Sequence, residues 1–551
     1  MNYRFVLMLG LLVSGVMGCG QNDRATSNIR VAIPDTEPAK LGPPTTPIKT
    51  YSASRFLDHA SFGPTVAGIE QVRTLGMEAW IDRQFALPAS QVDGSFSENW
   101  DSNDTPGVLG RPYYELMQKN FLRLALSGED QLRLRVTWAL SQFIVVSELK
   151  VQSFAMTQYF NLLQNQGLGN FADLLRAITL NPSMGVYLDN TQNKKEGICA
   201  DCSVNENYAR ELMQLFTLGV MQLNKDGSPK RDASGKLLET YSQDDVQAMA
   251  RALTGWDFAP LPSSPPPLLR SGYRYPMTAN WKEAHDSGEK KLLGQVIAAG
   301  GTAAQDLEKV IQILMNHPNI APFVSIRMIQ HLVTSDPSPA YIQRMVAVFE
   351  NNGQGVRGDM KALVKAILLD PEARAADKPT VVDHHFGKVR EPVLFKTAML
   401  RGLGCKEAMI APHGGLDGVG NQAPFNAASV FSFFSPLHRA PGSNLLSPEQ
   451  KLLTSSEFSA RLGGLSWIAS EAPANIKAAG CNFDEFVVAF AKSRREFINL
   501  VSQRFFRGSL PPAQRDAAEK VMDAVTWGTK ETQTANVLQF MLSNPTFGVI
   551  K

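Results

Sequence analysis

Five side chains in this 551-residue chain have the chemistry of an acid–base or metal site: Glu206, Glu211, Asp245, His285 and Asp286. Carboxylate and imidazole groups bind divalent metal ions, and a buried cluster of them shifts pKa values enough to allow proton transfer. The sequence therefore predicts a candidate catalytic site, for which a divalent metal is the candidate cofactor.

The same residues also have a structural interpretation, which the sequence favours. Glu206 lies one helical turn before Arg210, a pairing worth about 0.3–0.5 kcal/mol. Asp245 follows Ser242 by three residues, as in a helix-capping box, and Asp286 begins an Asp-Ser-Gly turn. The sequence contains no H-E-x-x-H motif and no EF-hand loop, so no metal-binding spacing supports the catalytic alternative.

A second hypothesis concerns basic side chains that could bind an anion. The candidates are Arg210, Arg251, Lys388, Arg390 and Arg401. Guanidinium groups that converge on one cavity bind carboxylate, sulfate or phosphate through paired hydrogen bonds. The alternative, slightly favoured, is that these cations neutralise Glu206, Glu211 and Glu391 inside the fold.

Two motif matches do not support a function. Gly353–Gly358 fits G-x-G-x-x-G, but a helix-like segment precedes it where a dinucleotide site requires a strand, so we expect a turn between helices. Ser287–Lys290 fits S-x-x-K beside His285, yet it lies in a predicted turn instead of opening a helix.

The element expected to position the candidate residues is a central helix over Asn205–Val220. Its apolar positions, Tyr208, Leu212, Leu215 and Gly219, recur at helical spacing. After it, turns at Asp226-Gly227 and Ser234-Gly235 predict a small β-hairpin, and a further helix begins at Ser242 and ends at Gly255. The rest of the chain has helical periodicity and little strand alternation, which predicts a mainly α protein.

The N-terminus has the pattern of a lipoprotein signal peptide. Arg4 precedes an apolar run, Phe5–Met17, which is shorter than the roughly 20 residues of a permanent membrane span. The run leads to Val16-Met17-Gly18-Cys19, which resembles the bacterial lipobox, so we expect residues 1–18 to be removed and Cys19 to be lipidated. Gly20 follows Cys19 where an Asp would favour retention at the inner membrane, which by analogy with Gram-negative lipoproteins indicates the outer membrane.

Composition divides the mature chain into a tether and a body. Residues 19–50 are polar and rich in proline, typical of an extended tether. Residues 51–551 form one large predicted domain, with two lobes, about 51–260 and 290–551, as the alternative arrangement. The net charge of +2 and the absence of any long basic run argue against a nucleic-acid partner.

Cysteine usage is typical of an oxidising compartment. Once Cys19 is assigned to lipid, Cys199, Cys202, Cys405 and Cys481 remain, and they allow three pairings. Cys199 and Cys202 form a C-x-x-C with no haem, zinc or thioredoxin context, so we predict a structural disulfide between them. Free thiols or other pairings are the alternative.

Several ordered motifs together resemble one bacterial family. They are Arg55-Phe56-Leu57, Phe62–Thr65, Tyr187–Asn190, Asn205–Val220, Ala250–Trp256, His285-Asp286, Arg390-Glu391-Pro392 and Gln422–Phe425. On these residues the chain resembles the bacterial domain of unknown function 1800 family over essentially everything after the tether. The resemblance implies an exported, mostly helical protein, often encoded beside a secreted sulfatase-like protein, and it assigns no catalytic residue.

Two functions follow as hypotheses. The first is a lipid-anchored binding or assembly protein of the cell envelope that acts with a sulfatase-like partner. The second is a hydrolase or lyase that acts on an anionic or glycan substrate through the Glu, His and Asp residues above. An enzyme requires these groups to converge in an open cleft, whereas a binding protein allows them to be closed ion pairs; whether the protein is an enzyme is left open.

Overall fold

The computed structural model describes residues 48–98, 112–199, 202–261, 271–378, 386–406, 422–470 and 480–551. These residues fall within one compact unit, Gly42–Lys551. The predicted signal peptide, Cys19 and nearly all of the tether lie outside the described residues. Among the described residues, no helix is long and apolar enough to cross a membrane.

Short helices separated by caps and prolines build the first half of the body. They are α1 Thr50–Ala60, α2 Val66–Leu75, α3 Met77–Ala86, α4 Pro112–Ser127, α5 Gln131–Ser141, α6 Ser153–Gln166, α7 Phe171–Thr179, α8 Pro182–Tyr187, α9 Asn207–Glu211 and α10 Gln243–Ala252. Two 3₁₀ turns, Ser271–Arg274 and Lys282–Ala284, follow α10. Asn181 shows how such a boundary forms: its side chain accepts from the backbone of Ser183 and Met184, and Pro182 opens the new helix.

The second half continues in the same way. Its helices are α11 Ala303–Asn316, α12 Ile320–Leu332, α13 Pro339–Glu350, α14 Met360–Leu369, α15 Pro371–Ala375, α16 Pro392–Gly402, α17 Ser455–Ser470, α18 Asp484–Lys492, α19 Arg494–Phe505, α20 Pro512–Ala524 and α21 Lys530–Leu542. The prediction of a mainly α fold is confirmed. The Gly353–Gly358 segment is indeed the turn between α13 and α14.

Two small antiparallel sheets were not predicted. Strand β1, Lys290–Leu292, pairs with β2, Gln295–Ile297, in a tight hairpin just after the His285-Asp286 pair. Strand β3, Lys388–Val389, pairs with β4, Val549–Ile550, and so joins the end of the chain to the start of α16. Both pairings are too short for strand alternation to show in the sequence.

The predicted hairpin after the central helix is present only in part. Isolated antiparallel bridges join Met221 to Glu239 and Arg231 to Leu237, but no continuous strands form between them. Gly227 and Gly235 turn the chain with φ of 80° and 84°, at the two expected positions. The segment is therefore a hairpin-like loop held by single bridges.

Apolar side chains gather in two cores. The larger core includes Met249 before residues 261–289 and Leu314 after them, so apolar packing is continuous across the boundary between the alternative lobes. The second core joins α16 to the C-terminal helices and includes Cys405 and Cys481, which form a disulfide. A disulfide also joins Cys199 to Cys202, the pairing predicted from the sequence.

Candidate functional site

The central segment is less regular than the single α-helix expected from its apolar spacing. Helix α9 covers only Asn207–Glu211, and a π-helix, Leu212–Thr217, continues it. The Thr217 hydroxyl donates to the Leu212 carbonyl at 2.6 Å, and the Leu218 amide donates to Met213, five residues back. This wider winding corrects the prediction of one α-helix, because the i→i+5 bonds shift the buried face.

The entry to α9 is tied to the loop that follows α8. The Asn193 side chain bonds both backbone groups of Asn205, at 2.8 and 3.0 Å, and Asn207 donates to Asp189 at 3.1 Å. Asp189 has a φ of 60°, which is uncommon for a residue with a side chain. The Tyr187–Asn190 and Asn205–Glu211 motifs therefore form one connected site around the start of α9.

Glu206 and Arg210 form the surface pair that the structural interpretation predicted. The Arg210 Nη2 atom donates to Glu206 Oε2 at 2.9 Å, and Gln243 donates to the same oxygen at 2.8 Å. The two charged side chains are 29% and 40% exposed, so solvent screens their attraction. The arrangement links α9 to the first turn of α10.

Glu211 differs from the other candidate carboxylates because, within the described residues, it has no counter-ion in contact and one of its oxygens has no hydrogen-bond partner. The residue is only 8% exposed, and its Oε2 atom has no hydrogen-bond partner among them. Burial raises the pKa of Glu211, and the nearby positive charge of Arg210 opposes that shift only partly. Burial, with a smaller contribution from Glu211, raises the pKa of Tyr187 to about 12.

Asp245 is a helix cap. One carboxylate oxygen accepts from the amide and hydroxyl of Ser242, at 2.8 and 2.7 Å, which completes the predicted capping box. The other oxygen accepts from the Leu293 amide at 2.6 Å, in the turn between β1 and β2. Both oxygens are therefore used to join α10 to the small sheet.

His285 and Asp286 belong to a closed charge network behind that sheet. Arg251 donates to both oxygens of Asp286, at 2.6 and 3.1 Å. The Lys290 ammonium lies 2.7 Å from Asp306 Oδ2 and also donates to the backbone carbonyls of Asp286 and Gly288. His285 is held between the Thr254 carbonyl, 3.0 Å from Nδ1, and Asp306 Oδ2, 3.3 Å from Nε2.

The electrostatics of this network follow from its pairing. Burial alone would raise the pKa of Asp286, but the hydrogen bonds from Arg251 and the Gly288 amide and the charges of Arg251 and Lys290 together outweigh it, so that pKa is lowered. The pKa of Asp306 is lowered in the same way, because contacts from His285 and Lys290 outweigh burial. Both carboxylates are therefore stabilised as anions next to fixed cations.

Sequence reasoning missed Lys290 and Asp306, although they complete this network. Lys290 was present only as the last residue of the rejected S-x-x-K match. Asp306 lies in the first turn of α11, where an acidic side chain is ordinary because it complements the helix dipole. Nothing in the local pattern of either residue indicates that they meet.

The candidate anion-binding cations are held by separate partners. Lys388 bonds Glu391 and Glu449, at 3.1 and 2.9 Å, inside the larger core. Arg390 lies 3.1 Å from Asp58, which Arg507 also contacts.

Arg401 makes a different kind of contact, donating to the backbone carbonyls of Gly63, Ala125 and Leu126. Burial lowers its pKa to about 10. With Arg210 and Arg251 paired as described above, the candidate cations occupy distinct networks, and no shared anion cavity follows from their contacts.

The candidate residues therefore fall into separate places. Glu206, Arg210 and Glu211 belong to α9, Asp245 to a cap, and His285, Asp286 and Arg251 to the network with Lys290 and Asp306. Within the described ranges, no group of three or more His, Cys, Asp or Glu side chains is arranged to hold a metal ion.

The fold and the site together define a large helical protein in which most of the candidate ionisable side chains form ion pairs. Residues 55–549 match the family described as Protein of unknown function (DUF1800), and the chain belongs to that family. Comparisons with curated proteins and with solved structures found no match.

Proposed function

We propose that this protein is a lipid-anchored binding or assembly protein of the cell envelope. The Val16–Cys19 lipobox and the proline-rich tether support attachment at the outer membrane through Cys19. The sequence resemblance that suggested the family also suggests the partner, a secreted sulfatase-like protein. In this arrangement the tether holds the helical body close to the membrane, where the partner binds it.

The observation that favours binding over catalysis is the closed network around Lys290 and Asp306. The side chains of Lys290 and Asp306 are 0% and 3% exposed. His285 contacts Asp306, and Asp286 contacts Lys290. A catalytic acid or base must reach a substrate atom, directly or through one water. Groups fixed to each other in this way stabilise the fold instead.

Fractionation and co-purification test this proposal. The wild-type chain should be found in the outer-membrane fraction, and Cys19→Ser should release it, because the variant cannot be lipidated. A sulfatase-like protein encoded beside the gene should co-purify with both forms in detergent. A wild-type chain in the soluble fraction would contradict the anchor, and the absence of co-purification would contradict the partner.

A metal assay separates binding from metal-dependent catalysis. Elemental analysis of the purified protein, repeated with Glu206→Ala and His285→Ala, should find no stoichiometric metal in any of the three. Stoichiometric metal in the wild type that His285→Ala removes would favour the enzyme.

Glu211 supports a second candidate function, that of a hydrolase or lyase on an anionic or glycan substrate. A buried carboxyl with a raised pKa is suited to donate a proton as a general acid. A panel of 4-nitrophenyl sulfate, phosphate and glycosides would detect such a hydrolase. Turnover that Glu211→Gln removes and Glu206→Gln retains would support this function, whereas turnover that survives Glu211→Gln would exclude Glu211 as its acid.

A further inference from the structure

A polar cleft of about 620 Å³ lies between α6, α7, the start of α8 and the 3₁₀ turn Ser271–Arg274. Its volume falls within the range of roughly 300–1,000 Å³ typical of small-molecule sites. None of the candidate residues from the sequence lines it. The cleft is therefore a feature separate from the charge networks described above.

Amide side chains are the most frequent kind in its walls. They are Gln91, Gln158, Asn161, Asn165, Gln166 and Asn181. The four that belong to α6 recur at positions i, i+3, i+7 and i+8, which puts them on one face of that helix. Amide groups present donors and an acceptor side by side, so such a face matches a ligand whose hydroxyl groups both donate and accept.

The amides differ in how much of this capacity is already used. Asn161 bonds the backbone of Val92 in both directions, at 2.8 and 2.9 Å, and thereby fixes the wall. Asn181 caps α8. Gln158 and Gln166, in contrast, make no side-chain hydrogen bond to any described residue, so their amides are available to a ligand.

Two tyrosines supply flat apolar surface. The Tyr273 ring packs edge-on against Phe258, with centroids 5.2 Å apart, and its hydroxyl donates to Gln152 at 3.2 Å. Those contacts hold the ring in place. Tyr275 is 44% exposed. Aromatic faces carry partial negative charge, which attracts the polarised C–H groups on the face of a pyranose ring.

The charged side chains of the cleft are neutralised. Arg176 contacts Glu308 at 2.5 Å and Asp173 at 2.7 Å. Arg274 contacts Glu98 at 2.5 Å. Two guanidiniums thus face three carboxylates, which leaves no net positive charge to attract a sulfate or phosphate group.

We propose that this cleft binds a neutral oligosaccharide. Free amides, a fixed aromatic ring, an exposed aromatic ring and paired charges all match a ligand rich in hydroxyl groups and without charge. A peptide fits less well, because the described walls consist of helices, turns and loops and offer no strand edge with which a peptide backbone could pair. This proposal does not depend on the lipid anchor or on the sulfatase-like partner.

Calorimetric titration of the full-length chain in detergent tests the proposal. The probes are neutral hexasaccharides of glucose, xylose and mannose, a sulfated hexasaccharide, and a mixed-sequence peptide. At least one neutral probe should bind, with an affinity that changes little between about 50 and about 500 mM salt, because no ion pair forms. Tyr275→Ala and Gln158→Ala should each weaken that binding at least about fivefold.

Matched controls come from exposed residues that do not line the cleft. Trp527→Ala removes an exposed aromatic ring, and Gln354→Ala removes an exposed amide; both should bind as the wild type does. Tyr275 is a surface residue, so its variant should fold even if Gln158→Ala does not. Binding of none of the neutral probes, binding of only the sulfated probe or the peptide, or neutral binding that survives Tyr275→Ala would each overturn the proposal.

Discussion

The Lys290 ammonium lies 2.7 Å from a carboxylate oxygen of Asp306, sixteen positions further along the chain. One residue belongs to strand β1 and the other to the first turn of α11, so the pair fastens the small sheet to the helical body. His285 contacts Asp306, and Asp286 contacts Lys290. The ion pair therefore also restricts the chemistry open to His285 and Asp286.

Lys290→Met should lower the free energy of unfolding by about 3–5 kcal/mol, because it leaves Asp306 as a buried charge without its closest counter-ion. Urea unfolding at neutral pH measures the change. Lys225→Met is the matched control: its ammonium contacts Glu350, but the Lys225 side chain is 66% exposed, so its loss should cost less than about 1 kcal/mol. Equal effects of the two variants would contradict a buried role for Lys290.

The two disulfides should contribute unequally to stability. Cys405 and Cys481 are 76 positions apart, whereas Cys199 and Cys202 are three apart. The chain-entropy relation predicts a loss of about 4.5 kcal/mol when Cys405 and Cys481 are both replaced by Ser, and about 2 kcal/mol for the other pair. Chemical unfolding of the two double variants under oxidising conditions measures both values, and a larger loss from the Cys199/Cys202 variant would contradict this order.

Glu211 should make the fold less stable as the pH rises. Its pKa is higher in the folded protein than in the unfolded chain, so the folded state binds more protons over the interval between the two values. The cost of ionising the buried carboxyl therefore appears above the unfolded pKa and is complete above the folded one. Glu211→Gln should remove that cost.

Thermal unfolding across the pH range measures this difference. Relative to the wild type, Glu211→Gln should gain stability from acidic to neutral pH, whereas Glu206→Gln should show no such gain because Glu206 is partly exposed and paired with Arg210. If Glu211→Gln loses stability relative to the wild type as the pH rises, the Glu211 carboxylate has a stabilising partner, and its pKa is not raised in the folded protein.

Local features of the fold could be predicted from the sequence. Asn181-Pro182 and Asp370-Pro371 mark helix starts because the Asn or Asp side chain caps the helix that the proline opens. The Ser242 capping box is likewise contained within four residues. In each case the bonding partners are close in sequence, so the residue pattern is sufficient.

The contacts that form the candidate site cannot be predicted from local sequence patterns. Lys388 meets both Glu391, three residues away, and Glu449, which only the tertiary fold brings near. In the π-helix the Thr217 hydroxyl donates to the Leu212 carbonyl, and the apolar spacing of the sequence does not reveal this hydrogen bond. Gln158, Asn161 and Asn165 were not singled out from the sequence, because their helical spacing does not reveal the cleft that they line.

The buried carboxylate of Glu391 should make the stability of the fold sensitive to acid. The residue is 1% exposed, and Lys388 and Gln422 donate to it at 3.1 and 2.8 Å. Burial alone would raise the pKa of Glu391, but the charges of Lys388 and Arg135 outweigh it and hold that pKa at about 2. Because the folded value lies below the unfolded one, the stabilisation is present above the unfolded pKa and is lost as the pH falls towards about 2.

Glu391→Gln should therefore lower the free energy of unfolding by about 3–5 kcal/mol at neutral pH, because it leaves Lys388 with one fewer anion in a buried site. The difference in the free energy of unfolding between wild type and variant should narrow steadily as the pH falls below about 4.5, where the wild-type carboxylate gains a proton in the unfolded chain. Glu70→Gln, whose side chain is 63% exposed beside Arg73, should show almost no gap at any pH. Urea unfolding from pH 3 to pH 7 measures all three proteins, and a gap for Glu391→Gln that stays constant over that range would mean that the lost stability comes from packing and not from the charge.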